Sequence, residues 1–174
     1  MKGAKDLMNI LAIDGSTQRT GWATIVDDKI NYGYIAASNS RVEARIIKMR
    51  DEILNIVKTT QNIEKIVMEE VRPDGMNQHT GIVLRWLQAS IVLAVFEYNK
   101  NIEFEFIESS SWRSKLGLQG YKIKREEQKK RDIKYAEGRY NLDLAGDDDI
   151  ADALCILDYA RKSAPIILDG FELG

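Results

Sequence analysis

Acidic side chains in three short segments carry the chemistry this sequence can offer. They are Asp14 in ILAIDGST, one of the adjacent Glu69 and Glu70 in IVMEEV, and Asp149 with Asp152 in DDDIADAL. Each stands at an end of an apolar run, so folding those runs side by side would gather four acids at one edge. Crowded carboxylates repel one another unless a cation neutralises them, and the cluster therefore asks for a divalent metal. One histidine, His79, and one cysteine, Cys155, are too few for a histidine cage, a thiolate zinc site or an internal disulfide. The ligands would be oxygens, which suit hard ions such as Mg²⁺ and Mn²⁺.

Each acid also has a plainer explanation. Ile10, Ala12 and Asp14 share one face of a strand that ends in the turn Gly15-Ser16-Thr17, so Asp14 would project at the sheet edge, where Asp also caps turns. Alternation sends Glu69 and Glu70 to opposite faces, so only one can meet Asp14; spacing does not choose between them. Asp149 and Asp152, three apart, share one face of the first turn of a helix. A helix dipole favours acids there without any function, and Asp147 or Asp148 would serve as an N-cap. The excess resists that reading, since three consecutive aspartates and a fourth repel one another.

The elements that must position these acids are readable from periodicity. Residues 8–14, 20–27 and 29–37 read as strands close enough in sequence to pair as an antiparallel meander. Residues 41–58 have helical apolar spacing, 63–71 is a β-branched strand, 81–98 a long apolar helix after a loop over 72–80, and 103–107 an alternating strand. A short serine-capped helix at SSSWRSKLG and helices near 124–140 and 149–162 follow. The order βββ-α-β-α-β-α, then helices, implies a mixed sheet whose later strands return through helical crossovers.

Length and composition fit one domain over 1–174, with a core over about 8–162 and a short extended tail. The 174 residues, 44% apolar and 30% charged, match an ordinary globular chain. No stretch approaches the roughly 20 uninterrupted apolar residues of a membrane span, and the N-terminal apolar run is only about five residues long, too short for a secretion signal. A cytoplasmic protein with no membrane partner is expected. The formal charge of −2 and pI near 5.6 argue against indiscriminate nucleic-acid binding. The stretch 122–131, KIKREEQKKR, nevertheless holds six Lys or Arg against two Glu, enough for a local basic face.

Three motifs in order, Ile13-Asp14-Gly15-Ser16-Thr17-x-x-Thr20-Gly21-Trp22-Ala23, Val67-Met68-Glu69 and Asp149-Ile150-Ala151-Asp152-Ala153-Leu154, resemble those of RuvC-like Holliday-junction resolvases. The phage-encoded members look nearest, and the cytoplasm would then be that of a bacterial host. The resemblance runs from residue 9 to about 162. It implies an α/β RNase H-like fold: a mixed five-stranded sheet, three antiparallel strands first, with helices on both faces. It also implies a Mg²⁺-dependent endonuclease acting as a homodimer on four-way junctions, forks and related branched DNA, without a nucleotide cofactor. Asp14, Glu69, Asp149 and Asp152 would be its catalytic, metal-binding acids, the choice of Glu69 over Glu70 coming from the resemblance. Gly15 departs from the proline many relatives carry, which removes no ligand.

Phosphodiester hydrolysis needs an activated water and neutralisation of developing charge, which two cations held by four carboxylates would supply. By resemblance the product would be a nick with 5′-phosphate and 3′-hydroxyl ends. Lys122, Lys124, Arg125 and Lys129 would grip DNA, with Lys124 or Arg125 nearest the scissile phosphate; a solvated face with a Glu126–Lys130 pair is the plainer reading. For Trp112 and Arg113 on the short helix, stacking on a base or sugar is one reading and a core-edge place for Trp112 the favoured one, while His79 is expected to be structural and Cys155 inert core. The helix over 81–98 is apolar on more than one face, which fits a dimer contact or deep burial. Rival readings are an RNase H-like nuclease acting on RNA–DNA hybrids or flaps, and a branched-DNA binder without catalysis. A sugar-kinase-like phosphotransferase would need two such domains where one is present.

Overall fold

A computed structural model describes residues 8–71 and 78–163. Strands β1 (Ile10–Asp14), β2 (Arg19–Val26) and β3 (Lys29–Ala36) form the meander, and α1 (Val42–Thr60) leads to β4 (Lys65–Glu69). Helix α2 (Gln78–Tyr98), strand β5 (Glu103–Ile107) and helices α3 (Ser109–Lys115), α4 (Arg125–Tyr140) and α5 (Asp148–Ser163) complete the chain. The sheet order is β3-β2-β1-β4-β5, with β1–β2 and β2–β3 antiparallel and β1–β4 and β4–β5 parallel. A two-residue turn joins β2 to β3. Its Asp27 and Asp28 have φ of 48° and 60°, the paired left-handed conformation whose twist matches a hairpin.

Alternation along the strands splits the core in two. Ile10 and Ala12 of β1, Ala23 and Ile25 of β2, Val67 of β4 and Ile107 of β5 face α5, with Trp112 of α3 and Ala136 of α4 in the same cluster. Leu11, Ile13, Ile66 and Met68 face the other way, onto Met49, Ile53 and Val57 of α1 and Leu87, Ile91 and Val95 of α2. Asp14 and Glu69 continue the first set by the two-residue period, and both lie at strand ends on the α5 side.

Element order agrees with the periodicity, and the boundaries move by a few residues. β4 is shorter than the apolar run 63–71, because Glu64 and Lys65 first donate their amides to the Asn9 carbonyl. α2 begins at Gln78, so His79 falls in its first turn; residues 72–77 of the expected loop, and the expected tail, lie outside the described residues. α4 begins at Arg125, so Lys122 and Lys124 precede the helix that the basic run was read to form. α2 is long and apolar enough, at a mean hydropathy of 1.4, to cross a membrane by length and composition. Here one of its faces, Val83, Leu87, Ile91 and Val95, is packed into the core.

Candidate functional site

The site begins where β1 stops. Asp14 pairs with Gly21 across the β1–β2 ladder, and the turn between them is stapled by Thr20. Its fully buried hydroxyl donates to the Ser16 carbonyl at 2.5 Å and accepts the Ser16 amide at 3.1 Å. Gly21 then does what no other residue could. A Cβ built on it would fall 2.0 Å from the Asp149 carbonyl oxygen and 2.4 Å from the Asp149 carbonyl carbon. The start of α5 therefore rests on bare β2 backbone, and this close approach brings its acids to Asp14.

Glu69 ends β4, and its geometry is fixed from two sides. Its Oε2 accepts the indole Nε1–H of Trp112 at 3.1 Å, and its carbonyl accepts Gln88 Nε2 of α2 at 2.7 Å. Trp112 is wholly buried, so the core placement expected for it holds, and it also orients an acid. Glu70 lies past the strand, its amide donating to the Ile107 carbonyl at 2.7 Å. Both glutamates border the same cleft; only Glu69 contributes among the main charges felt by both Asp14 and Asp152.

At the head of α5, Asp147 is the N-cap, its Oδ1 accepting the Ile150 amide at 3.1 Å. Arg19 of β2 forms a clamp on Asp147 and Asp149 and stacks 3.9 Å from the Tyr34 ring centroid. That guanidinium holds the Asp147 carboxyl below the usual range. Lys129 of α4 pairs with Asp148. Asp152, one turn deeper, meets Arg113: Nη2 donates to its Oδ2 at 3.3 Å, while Arg113 Nε donates to Asp132 Oδ2 at 3.0 Å. Asp132 is completely buried and also accepts Gln128 Nε2 at 2.8 Å, so the guanidinium is anchored from behind. Arg113 thus turns inward among the acids and supplies the cation that the fully buried Asp132 would otherwise lack.

The gathered acids perturb one another. Burial, then the charges of Glu69 and Asp149, push the Asp14 carboxyl up to about 8, against a lowering influence from Arg113. Burial and Asp14 raise Asp152 well above the usual range. Like charges and desolvation act together here, which is the pattern of groups held in place for chemistry. Asp14, Glu69, Asp149 and Asp152 line one cleft of about 850 Å³. Arg125 and Lys129 border it; Lys122 and Lys124 are exposed on the loop before α4 and are not among its lining residues. The helical ion pair on α4 is Arg131–Glu127, at 3.0 Å. His79 borders the cleft as well, and Cys155 is buried core, its thiol raised by burial.

Among the described residues, no three Asp, Glu, His or Cys side chains are grouped to hold an ion as they stand. Asp149, Asp148 and Asp152 pair with Arg19, Lys129 and Arg113 instead. The donor set nonetheless suits a hard cation, being all oxygen, and Asp152 Oδ1 is a buried oxygen with no hydrogen-bond partner. Arg19, Asp132, the inward ion pairs of Arg113 and the Glu69-orienting role of Trp112 escaped the sequence reading. The adjacency Trp112-Arg113 on a short helix after a strand hinted at the last two, and nothing local pointed to Arg19 or Asp132.

The fold is RNase H-like and similar to that of resolvases of known structure. RuvC of Thermus thermophilus, in complex with a Holliday junction substrate, superposes with a TM-score of 0.68 at 17% identity, over 90% of this chain and 96% of that one. A yeast mitochondrial Holliday junction resolvase gives 0.59 at 14% identity, over 92% and 80%. The fowlpox virus resolvase bound to junction DNA gives 0.52 at 12% identity, over 90% and 98%. No curated protein sequence is similar enough to count as a relative. The family described as Lactococcus phage M3 protein matches residues 7–162, and to that family this chain belongs.

Proposed function

We propose that the protein is a structure-selective, divalent-metal-dependent DNA endonuclease that nicks four-way junctions and related branched DNA. The observation that carries this is the convergence of Asp14, Glu69, Asp149 and Asp152 on one cleft, with Asp14 pushed up to about 8 by burial and its acidic neighbours. The similar structures are of resolvases, two of them in complex with a junction, which supports the choice of substrate.

Asp14, Glu69, Asp149 and Asp152 would hold Mg²⁺, or Mn²⁺ in its place, as one or two ions. A cation bound there would activate water and neutralise charge on the phosphate and leaving oxygen. The chain's own groups do the rest. Trp112 Nε1–H fixes the Glu69 carboxylate. Arg113, held by Asp132, keeps a fixed positive charge beside Asp152. Arg19 holds Asp149 by its Oδ2, which leaves Oδ1 to serve as a ligand. Asp14, buried among acids and holding its proton more tightly than a free carboxyl, would have to be ionised to serve as a ligand. Arg125 and Lys129 meet phosphates along the cleft, with Lys122 and Lys124 at its approach. The products are 5′-phosphate and 3′-hydroxyl ends, and a homodimer sets two such clefts on the two opposed strands of a symmetric junction.

The test is cleavage of labelled junction, fork, flap, plain duplex and RNA–DNA hybrid with Mg²⁺ or with chelator. Metal-dependent nicking of junctions, lost in Asp14→Asn with junction binding retained, is expected. Cleavage of hybrids alone would reassign the substrate, and no metal-dependent cut on any of them would sink the nuclease reading.

A further inference from the structure

We infer that Tyr121, on the loop between α3 and α4, is a stacking platform for a nucleobase freed from its pair beside the cut phosphate. The inference rests on the nuclease reading above. Tyr121 is 88% exposed, and a single exposed ring is by itself unremarkable. Its mounting sets it apart. Leu118 is buried, its amide donates to the Arg113 carbonyl at 2.8 Å, and its own carbonyl accepts Gln128 Nε2 at 3.1 Å.

Just before Tyr121, Gly120 packs against the Ile123 side chain, and an added Cβ would lie 1.7 Å from Ile123 Cδ1 and 2.5 Å from Ile123 Cγ1. Lys122 takes a left-handed φ of 54°, which turns the chain back at once toward α4. The loop is thus a tight crest pinned on both sides of Tyr121. Gly120 and Ile123, which pin it, border the acid cleft.

The chemistry of the crest fits one ligand class. A phenol ring offers a flat face that any base can stack on, and the cations beside it suit the phosphates of the same strand. Lys122 Nζ lies 5.0 Å from the ring centroid, and Lys124 and Arg125 follow in sequence. A base in intact duplex has no free face for the ring. One at a branch point can be unstacked at lower cost, so Tyr121 would favour branched DNA over duplex.

The experiment uses the full chain and synthetic four-way junctions with 2-aminopurine placed in turn at the bases flanking the branch point, in chelator so that nothing is cut. Wild type should change the emission at one position, and Tyr121→Phe should keep that change. Tyr121→Ala should lose it and bind junctions roughly 5- to 100-fold more weakly, with duplex affinity unchanged. An Ala variant with the wild-type emission change and junction-to-duplex ratio would overturn the inference, as would loss of the signal in Phe, which would assign the contact to the hydroxyl. A wild type that neither prefers nor cuts junctions would remove the functional reading itself, which separates the two failures.

Discussion

Asp14 and Asp158 are both carboxylates in the α5 half of the molecule, and their surroundings give them opposite character. Asp14 is buried among Glu69, Asp149 and Asp148, and its lost hydration together with their repulsion is a cost to folding that the proposed cation would relieve. Asp14→Asn should therefore raise the thermal stability of metal-free protein at neutral pH, on the order of 1 kcal/mol, while removing cleavage. Calorimetry with chelator, paired with the junction assay, checks both. Asp158 is buried too, which alone would raise it, but Lys162 at 2.8 Å, Tyr135 at 2.6 Å and Arg139 at 3.1 Å hold its carboxyl below the ordinary value near 3.8. A lowered carboxyl contributes stability above the unfolded value, and that contribution is lost as pH falls through the folded one. Asp158→Asn should cost about 2 kcal/mol at pH 7, with the difference from wild type shrinking as pH drops below 3.8. Urea titrations across that range measure it, and cleavage by the folded variant should be unchanged because Asp158 is outside the cleft.

The contact between α5 and β2 decides whether the acids meet at all. Gly21→Ala would drive a methyl against the Asp149 carbonyl, a backbone atom that cannot swing aside, and should cost about 2–3 kcal/mol. It should also depress cleavage further than that loss of stability explains, because α5 must lift Asp149 away from Asp14. Comparing residual activity with the folded fraction at one temperature separates the two effects. The elements themselves were legible because each strand and helix carries its own period: alternation over Ile10–Asp14 and Glu103–Ile107, helical spacing from Ile46 to Val57. Three of the four acids could be read off with them. The glutamate could not be chosen by alternation, because the choice depends on which face α5 covers. The cations were not legible for a related reason. Arg19 and Asp147 are 128 residues apart, and Arg113 and Asp152 are 39 apart, so no local pattern links them. The basic run was read as one face, yet Lys122 and Lys124 stand before α4, because charge runs do not reveal where a helix starts.

At the scale of the whole molecule, α2 presents an apolar face that the monomer leaves uncovered. Its buried residues leave an outer stripe of Ile82, Trp86, Leu93 and Phe96, with exposures of 48%, 53%, 63% and 48%, and exposed Ala89 between them. Burial within the monomer, the alternative explanation for its apolar surplus, accounts only for the opposite face. The stripe runs in steps of four, three, four and three residues, which is the seam one helix presents to another in a coiled pair. A bilayer would ask for an apolar surface all round, whereas Arg85 and Glu97 flank this stripe and the opposite face is already packed. The occupant we propose is a second copy of the chain, its α2 laid against this one across a two-fold axis. Trp86→Glu and Leu93→Glu each place a charge in that seam and should raise the dimer dissociation constant by at least about 100-fold, leaving the fold intact because both side chains face outward. Sedimentation equilibrium over a wide concentration range measures this directly. Wild type should be dimeric and both variants monomeric, and the variants should nick one strand of a junction without the paired nick opposite. A wild type that stays monomeric at tens of micromolar would remove the dimer and leave the stripe for a different protein partner.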